Sequence, residues 1–362
     1  MYGKTVVVTG GNSGIGLATA KAFASEGARL TFLASRSMST AAWRATLKQI
    51  CRGNCLCFPG PSQAKRKGDS EMTTEYKKTE IDGLNIFYRE AGAKTAPAIL
   101  LLHGFPSSSH MFRDLIPRLA QDFHVVAPDY PGFGYSDAPA PDEFAYTFDH
   151  LAEVIEKFIQ AIGLKEFSLY MQDYGGPVGF RLATAKPESI QALIVQNANA
   201  YAEGISAAFE PMKPFWENRN PDTEKAARAL LQRETTIFQY THGANRPERI
   251  NPDAWTFDQA LLDRPGNDAI QLELLHNYTT NVALYPKWQE YLRRRQPPTL
   301  IVSGKNDPFF IPAGQEAFKR DLKHVEIHLL DTGHFALEEH ADTIATHIKN
   351  FSSATLAKGK GA

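Results

Sequence analysis

The sequence has no excess of charge of either sign: 39 Lys and Arg stand against 40 Asp and Glu, a net charge of −1 over 362 residues. Without a long block of like charge, a partner held mainly by electrostatics, such as nucleic acid or an anionic lipid surface, is not expected. No apolar run nears the ~20 residues that cross a bilayer, so no membrane partner is expected either. Cysteine is scarce. Cys51, Cys55 and Cys57 are an odd number crowded into one short stretch, which excludes a disulfide framework. The cluster also lacks a fourth ligand and a nearby His, so no metal site is expected there. Residues 1–10 carry no cleavage-site pattern, and the expected location is the cytoplasm. What is present, 43% hydrophobic and 22% charged residues, suits a globular chain of about two domains.

Three unequal pieces succeed one another. Thr5 to Val8 is a β-branched run leading into Thr9-Gly10-Gly11-Asn12-Ser13-Gly14-Ile15-Gly16 and then an Ala-rich helical stretch. A strand, a Gly-rich turn and a helix N-terminus suit a pyrophosphate. Over residues 4–36 this resembles the start of a short-chain dehydrogenase/reductase, a partial Rossmann βα unit. The family's Tyr-x-x-x-Lys pair is missing, since no Tyr here has a Lys four residues later, and reductase chemistry is not expected. Residues 37–71, with the three Cys, Lys65-Arg66-Lys67 and Pro59-Gly60-Pro61, lack a hydrophobic period and read as a poorly ordered linker. These 71 residues read as a leader fused to the rest of the chain.

From Met72 the pattern changes. Residues 73–92 read as two strands around Asp82-Gly83, and short apolar runs recur at 98–102, 124–128, 167–171, 192–195, 299–302 and 325–330, with helical periods between them. Continuous apolar strands indicate a mostly parallel sheet covered on both faces. The strand rhythm stops between Asn197 and Pro297, where a helical, aromatic-rich stretch intervenes. The expected division is a core of 72–197 and 298–352, a helical cap of 198–297, and a flexible tail of 353–362.

The chemistry gathers at strand ends. Phe167-Ser168-Leu169-Tyr170-Met171 runs into Gln172-Asp173-Tyr174-Gly175-Gly176, and a helix is predicted from Pro177 through Ala185. Flanking glycines and an early Pro are what a sharp strand-to-helix elbow needs. A carboxylate at its apex can attack an sp3 carbon and form an alkyl ester; the alternative for Asp173 is a helix N-cap. A later apolar run ends in Asp307, and another in His334. A His needs a carboxylate on one ring nitrogen to fix its tautomer, leaving the other free to activate water. After the first strongly apolar strand comes His103-Gly104-Phe105-Pro106. An unusual backbone angle at Gly104 would turn the Phe105 amide inward beside that of Tyr174, making an anion hole, with His103 bracing the turn.

From about Tyr76 to Phe351 these motifs, in this order, resemble an α/β-hydrolase of the epoxide hydrolase and haloalkane dehalogenase group. The resemblance implies an eight-stranded, mostly parallel sheet flanked by helices, with an inserted helical cap. It also implies attack by Asp173, hydrolysis of the ester by water activated by His334, Asp307 as the partner of that His, and neither metal nor organic cofactor. Dehalogenases of the group bind halide through a Trp after the nucleophile and an Asn after His-Gly, or a cap Trp. Tyr174 and Phe105 stand at the first two places and supply no such side-chain N–H, which leaves backbone amides or a cap Trp such as Trp216 or Trp255. Epoxide hydrolases use cap tyrosines as acids, and Tyr278 lies where one occurs. Met171, two before the nucleophile, is large where epoxide hydrolases carry a small residue. Asn197 occupies a position that holds the acid in some dehalogenases. Epoxide hydrolysis to a diol is the expected reaction, with dehalogenation the alternative. A silent binding module, and nucleotide binding through residues 10–16, are the readings from other classes. Trp216, Trp255 and Trp288 in the cap suggest an apolar pocket, and a small apolar substrate and water are the expected partners.

Overall fold

In the computed structural model the residues described are 5–9, 29–33 and 73–359. The chain divides into two units, Met1–Gly68 and Asp69–Ala362. In the first, β1 (Thr5–Thr9) pairs in parallel with β2 (Arg29–Leu33). The glycine-rich turn and the cysteine cluster lie outside the described residues.

The second unit is built on an eight-stranded sheet. β3 (Glu75–Ile81) and β4 (Leu84–Ala91) form an antiparallel hairpin. Its turn has positive φ at both Asp82 (51°) and Gly83 (83°), the backbone that Asp-Gly favours in a two-residue hairpin. The remaining strands are β5 (Ala98–Leu102), β6 (His124–Pro128), β7 (Phe167–Gln172), β8 (Ile190–Gln196), β9 (Thr299–Gly304) and β10 (Val325–Leu330). The order is β10-β9-β8-β7-β5-β6-β4-β3, parallel throughout except where β4 meets β3 and β6.

The eleven helices described are α1 (Leu115–Leu119), α2 (Phe148–Ala161), α3 (Gly175–Ala185), α4 (Lys213–Glu217), α5 (Glu224–Ala229), α6 (Arg233–Thr241), α7 (Pro252–Leu262), α8 (Asn267–Asn277), α9 (Thr279–Arg295), α10 (Pro312–Ala317) and α11 (Leu337–Gly359). Strand alternation divides the core into two apolar layers. Leu100, Leu102, Leu169 and Met171 face one with α2 and α3, whereas Ile99, Leu101, Tyr170 and Val302 face the other with α1 and α11. Helix α2 shows the local logic. Thr147 accepts the His150 amide as N-cap, and Phe148, Leu151, Ile155, Phe158 and Ile159 form its buried stripe.

Helices α4 to α9 fill the interval between β8 and β9, in the second unit together with the sheet. One expectation needs correction. The tail expected from residue 353 is helical to Gly359, because Ala354, Leu356, Ala357 and Lys358 are good helix formers that extend α11. Met171 is accommodated by the elbow helix: a Cβ on Gly179 would lie 2.5 Å from its Sδ, so glycine makes room for the long side chain. Among the described residues no helix is long and apolar enough to cross a membrane.

Candidate active site

β7 ends at Gln172, and Asp173 follows with φ +48° before α3 begins. A non-glycine residue in this left-handed region costs of order 1 kcal/mol, and the surrounding packing enforces it. The Asp173 amide donates to the Asn197 carbonyl at 3.1 Å, and the Gly176 amide to the Asp173 carbonyl at 2.9 Å. Small neighbours are obligatory. A Cβ on Gly175 would lie 2.2 Å from the Leu102 carbonyl oxygen, and one on Gly104 2.2 Å from the Asp173 Cβ. The expected role of Gly104 is thereby corrected: the positive φ belongs to Asp173, and Gly104 serves close approach. Helix α3 has no side-chain cap, so Asp173 is not an N-cap.

The loop after β5 places the Phe105 amide 2.8 Å from Asp173 Oδ1, and the Tyr174 amide also donates to this carboxylate. His103, fully buried, braces the turn. Its Nδ1 lies 3.1 Å from the Gly104 carbonyl, and its Nε2 accepts the Tyr130 amide at 3.2 Å. Burial pushes its pKa down to about 3, so it stays neutral.

His334 follows β10 and is 1% exposed. Its Nδ1 lies 2.9 Å from Asp307 Oδ2, and its Nε2 lies 3.8 Å from Asp173 Oδ2. Asp307, after β9, holds its other oxygen against the Phe309 amide at 2.8 Å. Three residues distant in sequence thus meet at the ends of parallel strands, where such sheets place their sites. Burial opposes a charge on His334, but the carboxylates of Asp307 and Asp173 outweigh it and raise its pKa. Burial raises Asp173 to about 6, against the pull of His334 and the two amides. The arrangement can hold a carboxylate nucleophile, a base with a fixed tautomer, and two N–H groups against an oxyanion.

Sequence reasoning missed several contributors. Gln172 Nε2 lies 3.1 Å from His334 Nε2, and its Oε1 is buried without a partner. Asn197, with φ +46°, donates to Asp307 Oδ2 at 2.8 Å and accepts the Gly304 amide at 3.1 Å. It ties the acid to the elbow instead of replacing it. Gln172 stood beside the nucleophile as a signal; Asn197 stood out by its place after an apolar strand, but nothing local marked its side-chain bonds to Asp307 and Gly304, which reach across more than a hundred residues.

A cavity of about 50 Å³ lies over Asp173 and His334. Phe105, Tyr174, Trp216 and Tyr278 all line it, with Phe209 and Gln239 among the residues added by the helical insertion. Tyr278, at the junction of α8 and α9, stacks on Phe209 (5.6 Å between centroids) and Trp216 (6.0 Å), and its hydroxyl pairs with Tyr285. The Tyr174 hydroxyl is buried without a partner. Trp216 donates its indole N–H to the Leu275 carbonyl at 2.8 Å. Trp255 packs edge-on to Tyr240 in the α11 layer, and Trp288 stacks on Phe180. Of the three tryptophans expected to form the pocket, only Trp216 lines it, because the other two fill helix contacts.

A family model described as the alpha/beta hydrolase fold matches residues 97–341. A short-chain dehydrogenase model matches residues 4–103, running into β3 to β5 of the eight-stranded sheet. The chain is 42% identical to an uncharacterised hydrolase of Saccharomyces cerevisiae, YNR064C, over 77% of this chain and 97% of the yeast protein. It is 33% identical to a haloalkane dehalogenase of Bradyrhizobium diazoefficiens, over 76% of this chain and 93% of that one. The crystal structure of the haloalkane dehalogenase DbeA from Bradyrhizobium elkani shares the fold, with a TM-score of 0.65 at 22% identity, covering 79% of this chain and all of that one. With the sheet order, the elbow and these matches in agreement, the chain belongs to the alpha/beta hydrolase fold family and is a hydrolytic enzyme.

Proposed function

We propose that the protein hydrolyses small apolar epoxides to diols through a covalent ester on Asp173. One observation carries the choice of leaving group: Tyr174, whose buried hydroxyl has no partner, and Tyr278 both line the cavity over Asp173, while the Trp216 indole is committed to the Leu275 carbonyl. A phenol can protonate the alkoxide that forms as an epoxide opens. Asp173 Oδ2 attacks the ring carbon, the C–O bond breaks, and a phenol passes its proton to the released oxygen. His334 then takes a proton from water, which attacks the Asp173 carboxyl carbon, and the amides of Phe105 and Tyr174 hold the oxyanion. Collapse expels the diol, whose second oxygen takes the proton from His334, and the acid left on Asp173 returns a proton to the phenolate. Asp307 keeps the imidazole oriented. The helical insertion acts as a cap over the reaction, and residues 1–71 take no part in it. A cavity of about 50 Å³ has room for only a few water-sized groups, which favours short substrates.

Dehalogenation is the second reading. It has one observation of its own: Gln239 is buried at the cavity wall with its amide nitrogen unpartnered, an N–H source for a departing halide. The 33% identical relative bears the name of that activity. The test exposes the protein, with Asp173→Asn as control, to terminal epoxides and bromoalkanes and reads diol and bromide separately. Diol that falls in both Tyr174→Phe and Tyr278→Phe supports the epoxide reading. Bromide that falls in Gln239→Leu replaces it with the second, and silence on both panels overturns both readings of the leaving group.

A further inference from the structure

Among the described residues, one group of side chains has metal-ligating chemistry and geometry: Glu326, His328 and His347, whose ligand atoms lie within 4.8 Å of one another. We propose that these three residues bind a divalent transition-metal ion of the zinc class at the edge of the sheet, apart from the active site.

The placement follows from strand alternation. β10 is an edge strand, and its residues alternate between the two layers: Val325 and Ile327 pack with the α2–α3 layer, and Leu330 with the α11 layer. Glu326 and His328 share the parity of Leu330 and so face α11. His347 lies on α11 beside its buried stripe of Ile344, Ile348 and Phe351, which covers the same face. The side chains are already gathered. His328 Nε2 lies 2.6 Å from a Glu326 oxygen, and the two imidazoles stack at 3.7 Å between centroids with 28° between their planes.

The donor set decides the ion. Two imidazole nitrogens and one carboxylate oxygen suit zinc, cobalt, nickel or copper, whereas calcium and magnesium need more oxygen ligands. Three protein ligands leave one position for water. Such an ion would clip the exposed edge strand to α11 and add to the stability of the folded state in proportion to its occupancy.

The test uses the full chain, stripped with chelator and titrated with ZnCl₂ by calorimetry, with MgCl₂ as control. CoCl₂ serves as a spectroscopic probe, because a thiolate-to-cobalt charge-transfer band would report the Cys51, Cys55, Cys57 cluster instead. The expected result is one zinc ion bound through non-thiolate ligands and a rise in melting temperature, with affinity falling by about tenfold or more in His347→Ala and in Glu326→Gln. Magnesium should give no heat. Zinc binding that is unchanged in both variants, or that carries the thiolate band alone, overturns the proposal. So does an absence of zinc binding by a wild-type protein that melts cooperatively.

Discussion

Replacing Asp258 by Asn should stabilise the protein at alkaline pH and leave it nearly unchanged in acid. Asp258 lies on α7 and is fully buried. One oxygen accepts the Tyr240 hydroxyl at 2.5 Å, and the other has no hydrogen bond of normal geometry. Burial raises its pKa from 3.8 to about 7; the hydrogen bonds from Tyr240 and Ser107 and the charge of Arg113 only partly counter burial, and Glu338 adds to it. The folded value lies above the unfolded one, so the folded state holds the proton more tightly. Stability from this group is therefore greatest below pH 4, declines between pH 4 and about 7, and levels off above that. At about 1.4 kcal/mol per pH unit, the decline is of order 4 kcal/mol. Asn presents one oxygen to Tyr240 and an N–H₂ on the other side, and it cannot ionise. Urea midpoints read by tryptophan fluorescence should nearly coincide for the two proteins at pH 4.5. By pH 8 the variant should lead by a few kcal/mol. A variant destabilised by the same amount at both pH values would refute the reasoning, because it would show Asp258 to be held in its ionised form.

The remaining predictions concern the site. His334→Gln should accumulate a substrate adduct on Asp173, detected by mass spectrometry of the intact protein, because only the second step needs a base; an unmodified variant incubated with a wild-type substrate would exclude the two-step scheme. With Asp173 raised to about 6 by burial, kcat/KM should fall as pH drops below about 6, since attack needs the carboxylate; a profile flat down to pH 5 would count against Asp173 as nucleophile. Gly104→Ala should cost at least about a hundredfold in kcat, because the added Cβ would lie 2.2 Å from that of Asp173, with far-UV circular dichroism checking that the fold survives. Removing residues 1–71 should leave turnover unchanged, and loss of activity on truncation would give that unit a role in the hydrolase.

Strands β5 to β9 were legible because each holds a short, continuous apolar run between turn-forming residues, whereas β10 interleaves Glu326 and His328 with its apolar residues. The elbow was legible because Gly175, Gly176 and Pro177 announce a tight strand-to-helix passage. Asp307 and His334 could be read as ends of apolar runs, and the resemblance supplied the link between them. Other features depend on chain segments that only the fold brings together. Asn197 holds Asp307 across 110 residues, and Trp216 gives its indole N–H to a carbonyl 59 residues away. No local pattern marks either contact. The reading of Gly104 failed for a related reason: glycine in sequence signals freedom of φ or absence of bulk, and only the neighbouring Asp173 side chain shows which applies.

The two oxygens of the Asp173 carboxylate have different surroundings. Oδ1 rests on the Phe105 amide, whereas Oδ2 faces His334. In the proposed two-step scheme the oxygen that Oδ2 hands to the product in the first turnover comes from the protein, and a solvent atom replaces it on the enzyme. A single turnover in heavy-oxygen water should therefore give unlabelled product and a protein heavier by one isotopic substitution. The peptide containing Asp173 should carry that mass.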